Sequence, residues 1–132
     1  MMGIEKVLRE VDSGMKKEGG SFWITVKKEE LKKRLKYLKA SGINRISSIT
    51  GVDTEAGIEV IYHLWHDEGF INLKTLLPKD RPETDTIIDL FPGANLFERE
   101  LMEMLGVRIR GHPNPKKLFL SEDSPESPLR KS

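Results

Sequence analysis

The chain has no cysteine. That excludes disulfides, thiolate metal sites, a cysteine nucleophile and any iron–sulfur cluster held by this chain alone. It has little net charge: 22 basic against 21 acidic side chains leave +1. The global field therefore gives no support to a nucleic-acid or polyanion binder. No run approaches the roughly 18 consecutive apolar residues of a membrane span. The N-terminus sets Glu5 and Glu10 in an amphipathic pattern without a continuous apolar stretch, so no signal peptide is expected. Glutamine is absent while 33% of residues are charged, a Lys/Glu-rich balance that points to a thermophilic source. At 132 residues the chain has the size of one domain with a core of its own.

Ile4, Val7, Leu8, Val11 and Met15 follow i, i+3, i+4, i+7, i+11, which predicts an amphipathic helix with Lys16 and Lys17 in its last turn and Gly19-Gly20 as its stop. "SFWITV" (21–26) alternates as a strand does. Leu31, Leu35 and Leu38 predict a second helix ending before Gly42. From Ile43 to Leu77 the period becomes two, in three segments separated by "DTEA" and "HDEG", which predicts an antiparallel meander. In its first strand Ile43, Ile46, Ile49 and Val52 are spaced by three, and a bulge would reconcile them. The fold class is α+β: a meander sheet with helices on one face, then a further helix and an extended Pro-rich C-terminal tail. This divides the chain into an α+β unit over 1–90 and a helix plus docking tail over 91–132.

"PKDRPETDT" reads as a polar loop and "IIDLF" as a short strand. In the helix that follows, Asn95 and Glu98 have capping-box spacing and Gly106 is placed to end it. A wheel started at Leu96 puts Leu96, Phe97, Leu101, Met104 and Leu105 in one half, with Glu100 inside the apolar arc and Glu98 just past its edge. A carboxylate there needs a partner. It could be Arg108, Arg110 or Arg130 of this chain, a group on another polypeptide, or, as a general acid, a substrate. Pro113, Pro115, Pro125 and Pro128 then predict an extended segment.

Other constellations carry less chemistry. His63 and His66, three apart on a strand, point to opposite faces, and His112 reads as a turn residue whose side chain makes a fixed hydrogen bond. No spacing gathers a metal site. "LKKRLKYLK" (31–39) reads as an exposed basic face with only Tyr37 to serve a nucleic acid. "TGVDTEAG" (50–57) lacks phosphate-loop spacing.

The second half resembles the C subunit of NADH–quinone oxidoreductase (complex I) and its counterparts in membrane-bound energy-converting hydrogenases. The residues that carry the likeness are Glu98-Arg99-Glu100, Glu103, Met104-Leu105-Gly106, Gly111-His112-Pro113, Lys116-Lys117 and the closing Pro128-Leu129-Arg130-Lys131. "ITGVD" and "IEVIYHL" also match family strands, so the likeness runs over roughly residues 43 to 131. The chain lacks the family's usual tryptophans before the helix and after Glu122-Asp123, where Ser124 stands. These departures favour a compact relative in an archaeal hydrogenase-like or sulfur-reducing complex.

The resemblance implies an assembly subunit with no catalytic residues and no cofactor of its own. It would brace a large [NiFe]-hydrogenase-like subunit beside iron–sulfur subunits, on the cytoplasmic side of the cell membrane. It also implies that Glu98, Arg99, Glu100, Glu103, Gly111, His112, Pro113, Lys116, Pro128, Leu129, Arg130 and Lys131 belong to the subunit interface. The alternatives are the C subunit of a true NADH–quinone dehydrogenase, a stand-alone hydrolase using Glu100 with His112, and a basic-helix nucleic-acid binder.

Overall fold

Three segments of alternating apolar residues build the middle of the protein. The computed structural model describes residues 3–113. In it β3 (Arg45–Thr54), β4 (Gly57–His66) and β5 (Gly69–Leu77) form the antiparallel meander, joined by two-residue turns at Glu55-Ala56 and Asp67-Glu68. Tyr62 pairs with Ile49 on one side and Leu73 on the other. Because side chains alternate across a strand, this register puts Ile58, Val60, Tyr62 and Leu64 on the same face as Ile71, Leu73 and Leu77, all buried. The expected bulge is present as a register shift between Ile46 and Ser48. The extra residue returns Ile46 and Ile49 to the core face, while Val52 turns to the other.

A strand β2 (Ser21–Thr25) joins β5 in parallel, with Phe22 beside Ile71 and Ile24 beside Leu73. The short β1 (Lys16–Glu18) pairs antiparallel with β2, giving the five-stranded order β1-β2-β5-β4-β3. Helices α1 (Ile4–Val11) and α2 (Leu31–Ala40) bury Ile4, Val7, Leu8, Leu31, Leu35 and Leu38 in one contiguous core with these side chains. This is the expected α+β class. No helix among the described residues is long and apolar enough to cross a membrane.

The first helix is shorter than its apolar stripe predicts. Asp12 leaves the helix in an extended conformation; its carboxylate accepts the N–H of Gly14 (2.9 Å) and that of Thr25 (2.8 Å). Aspartate competes with helical hydrogen bonding in this way. Met15 still reaches the core, but from a turn. Lys16 and Lys17 lie in β1, and Gly19-Gly20 form the hairpin turn instead of a helix stop.

Residues 83–91 also depart from expectation. The strand lies in the polar stretch, as β6 (Glu83–Asp85), paired in parallel with β7 (Arg108–Arg110). "IIDLF" is a turn in which the Ile87 carbonyl accepts the N–H groups of Leu90 (3.0 Å) and Phe91 (2.8 Å). Ile87 and Phe91 are buried by tertiary packing; β6 exists because a distant segment pairs with it. Alternation could not reveal either.

The later helix α3 (Ala94–Leu105) starts at Gly93 without a side-chain cap. Asn95 and Glu98 both lie inside it, so the expected capping box does not form. Gly106 ends it in the left-handed conformation (φ 69°), as expected. α3 lies against β3 at Gly51, where an added Cβ would stand 2.3 Å from Leu105 Cδ1 and 2.7 Å from Leu101 Cδ2. The expected extended tail, with Lys116, Pro128, Leu129, Arg130 and Lys131, lies outside the described residues.

Candidate functional site

The face that α3 buries differs from the one its apolar count predicts. Ala94, Glu98, Leu101 and Leu105 are buried at i, i+4, i+7, i+11, and Glu103 is buried beside them. Leu96 is 49% exposed, and Glu100 is half-buried. A wheel weighs apolar side chains alone, whereas the helix is oriented by the gap at Gly51 and by polar partners of Glu98.

Those partners come from two other segments. One oxygen of the Glu98 carboxylate accepts the Thr86 hydroxyl (2.6 Å), and the other accepts the Ile87 N–H (2.9 Å). His112 Nε2 lies 3.9 Å from the first oxygen and 3.4 Å from the Asn95 carbonyl, to which it donates. Neither side chain of the Glu98–His112 pair is more than 1% exposed. Burial pushes the Glu98 carboxyl above the usual range, against the Thr86 hydroxyl, the Ile87 N–H and His112. The Tyr62 phenol is pushed up by its own burial and then by the Glu98 charge. Thr86 and Ile87 carried no signal in the sequence, since a hydroxyl and an amide become partners only when the chain folds.

Arg110 on β7 pairs with Asp85 (2.8 Å) and Glu83 (3.0 Å) of β6, binding the two short strands together. It is therefore not the partner of Glu100. That carboxylate instead lines a groove of about 260 Å³ with Ile49, Thr50, Gly51, Leu101, Met104 and Leu105, and no described side chain pairs with it. Arg99 is half-buried, with Nε lacking a hydrogen-bond acceptor among the described residues. Gly111 (φ 81°) and Pro113 are exposed on either side of the buried His112. The motif thus divides. Glu98, Glu103 and His112 turn inward; Arg99 and Glu100 lie at the surface, as do Gly111 and Pro113.

His112 meets Glu98, so the Glu100 with His112 pair of the hydrolase reading is not assembled. His63 is held between Thr50 Oγ1 (2.8 Å at Nε2) and Asn72 Oδ1 (2.7 Å at Nδ1), and Asn72 Nδ2 donates to the Phe22 carbonyl (3.4 Å). This chain of bonds links β3, β4, β5 and β2. Among the described residues no three His, Asp or Glu side chains group as metal ligands would. The basic helix is partly committed within the fold: Lys32 pairs with Asp89 (3.1 Å), Arg34 with Glu30 (3.2 Å), and Lys39 donates to the Leu90 carbonyl (2.6 Å).

Several known proteins are similar to this chain. A curated relative named NADH-quinone oxidoreductase subunit 5, from Thermus thermophilus, is 29% identical over 98% of this chain and 72% of its own length. One named membrane-bound hydrogenase subunit beta, from Pyrococcus furiosus, is 34% identical over 82% of this chain and 67% of its own. A chain in the solved structure of the membrane-bound sulfane sulfur reductase, an archaeal respiratory membrane complex, superposes with a TM-score of 0.81 at 25% identity. The match covers 93% of this chain and 76% of that one. The family model described as respiratory-chain NADH dehydrogenase, 30 Kd subunit, matches residues 24–132. The chain belongs to that family, the 30 Kd subunit of respiratory-chain NADH dehydrogenase.

Proposed function

We propose that this chain is a non-catalytic assembly and docking subunit in the cytoplasmic arm of a membrane-bound, complex I-related oxidoreductase of the hydrogenase-like or sulfur-reducing type. It braces the large [NiFe]-hydrogenase-like subunit beside the iron–sulfur subunits. Electrons pass through those neighbours, and this chain carries no cofactor.

The observation that carries the reading is the buried Glu98–His112 joint. It ties α3 to the segment that follows β7, so helix and Gly-His-Pro turn form one stiff piece with Arg99 and Glu100 at its surface. Buried polar contacts of this kind fix orientation more than they add stability. Such a piece suits presentation to another protein. The likeness to a relative named for a hydrogenase and to a sulfane sulfur reductase chain supports the choice of complex type. The longer-range likeness to the Thermus thermophilus protein keeps a second reading, the C subunit of a true NADH–quinone dehydrogenase.

The test is an inventory of proteins that accompany the tagged chain when it is purified from detergent-treated membranes of its source. The expected result is a large hydrogenase-like subunit and iron–sulfur subunits in equal amount to the bait. A pyridine-nucleotide-binding subunit in their company would favour the second reading. Recovery of a free monomer with hydrolytic turnover would overturn both.

A further inference from the structure

The two edges of the main sheet are defended unequally. β1 ends it on one side with Lys16, Lys17 and Glu18, three exposed charged residues. A short, charged border resists further strand pairing. β3 ends it on the other side with ten residues. Among the described residues it pairs with β4 alone. Past the bulge, its run Ser48-Ile49-Thr50-Gly51-Val52 contains neither a charge nor a proline. Asp53 follows, but it is buried and paired with Lys79 at 3.1 Å, so its charge does not guard the edge. Val52 adds an exposed apolar side chain. An edge so built is open to another strand.

Beside that run lies the groove that holds Glu100. Its walls are apolar, and its carboxylate has no cation among the described residues. Arg45, the basic residue of β3, is stacked over Trp65 at 4.8 Å; Arg110 is committed to β6. A half-buried carboxylate in such walls calls for a cation, and none of the described residues supplies one.

We propose that the outer edge of β3 receives an extended strand of another polypeptide, as a sixth strand, and that a lysine or arginine on it pairs with Glu100. This rests on the docking reading above and specifies its mode. Main-chain bonds to β3 supply affinity, and the groove supplies selectivity for a basic residue. A second copy of this chain suits the site less well, because the run Ser48–Val52 of its own β3 carries no cation.

The experiment compares hydrogen exchange of the 45–54 segment in the isolated full chain and in the native complex from solubilised membranes. The expected result is slower exchange over Ser48–Asp53 in the complex alone. In parallel, Val52→Lys and Glu100→Lys are each expected to lower incorporation by about tenfold, with Val52→Thr incorporated as wild type. Thermal unfolding of the isolated variants confirms that they fold, and the exchange comparison on wild type does not depend on them. A wild-type chain that enters the complex without added protection over 48–53 would overturn strand addition and leave the docking reading standing. A chain found in no complex would overturn both. Concentration-dependent protection of the isolated chain, with a dimer mass, would assign the edge to a second copy and overturn the proposal.

Discussion

At Glu98 burial and hydrogen bonding act in opposite directions on one carboxyl, and burial prevails. A folded-state pKa raised above the unfolded value means that folding favours the protonated form. That contribution is complete below the ordinary carboxylate pKa of about 4.3, and it is lost as pH rises through the raised folded value. Wild type should therefore lose stability relative to Glu98→Gln as pH rises from the ordinary carboxylate pKa through the raised folded value, as read from urea midpoints of the two proteins. A constant difference across that window would contradict the assignment. His63 offers a second test. In His63→Leu the buried Asn72 amide oxygen loses its donor, at an expected cost of about 1–3 kcal/mol in urea unfolding. The turn role of His112 was legible in the sequence, from its place between a glycine and a proline. The burial of Glu98 was not, because its partners are Thr86, Ile87 and His112, all more than ten positions away.

Among the elements, α3 depends most on a single absent side chain. Gly51 has ordinary strand geometry, so its glycine is required by space and not by dihedral angle: Leu101 and Leu105 occupy the place of a Cβ. Gly51→Ala should cost about 1–3 kcal/mol, measured by denaturant unfolding, since the two leucines must move within a packed core. Gly106 is required for the other reason. Its left-handed conformation makes Gly106→Ala cost about 1 kcal/mol, visible as a lowered thermal midpoint. The helix and its glycine stop were readable from periodicity and position. Strand β6 was not, because its pairing with β7 joins segments separated by α3, and three residues are too few to alternate. The end of α1 was missed because Met15 satisfies helical spacing and core burial at once, although Asp12 has already redirected the chain.

For the molecule as a whole, the meaningful asymmetry lies between a charged edge at β1 and the uncharged run Ser48–Val52 of β3, with net charge close to zero. Long-range electrostatic steering is then weak, and recognition falls to local shape and paired charges. Residues 3–113, those described, already pack the helices onto the sheet in one contiguous core. Truncation after Pro113 should leave thermal stability within a few degrees of the full chain, on the order of 1 kcal/mol, while removing co-purification with membrane partners. Calorimetry and the membrane pull-down together check it. A truncated chain that still assembles would place the docking function wholly in α3 and the sheet.

The sequence by itself determined the α+β class, the three-stranded meander with its bulge, the second helix and the ordered motif that marks the family. These rest on periodicity, turn chemistry and spacing, which are local properties of a chain. Only the tertiary structure decided which carboxylate of Glu98-Arg99-Glu100 turns inward, that β2 runs parallel beside β5, and that a polar loop becomes a strand. Each of those depends on what lies opposite once the chain has folded. A side chain's surroundings, unlike its neighbours in sequence, are supplied by distant segments, and so burial and pairing are settled there.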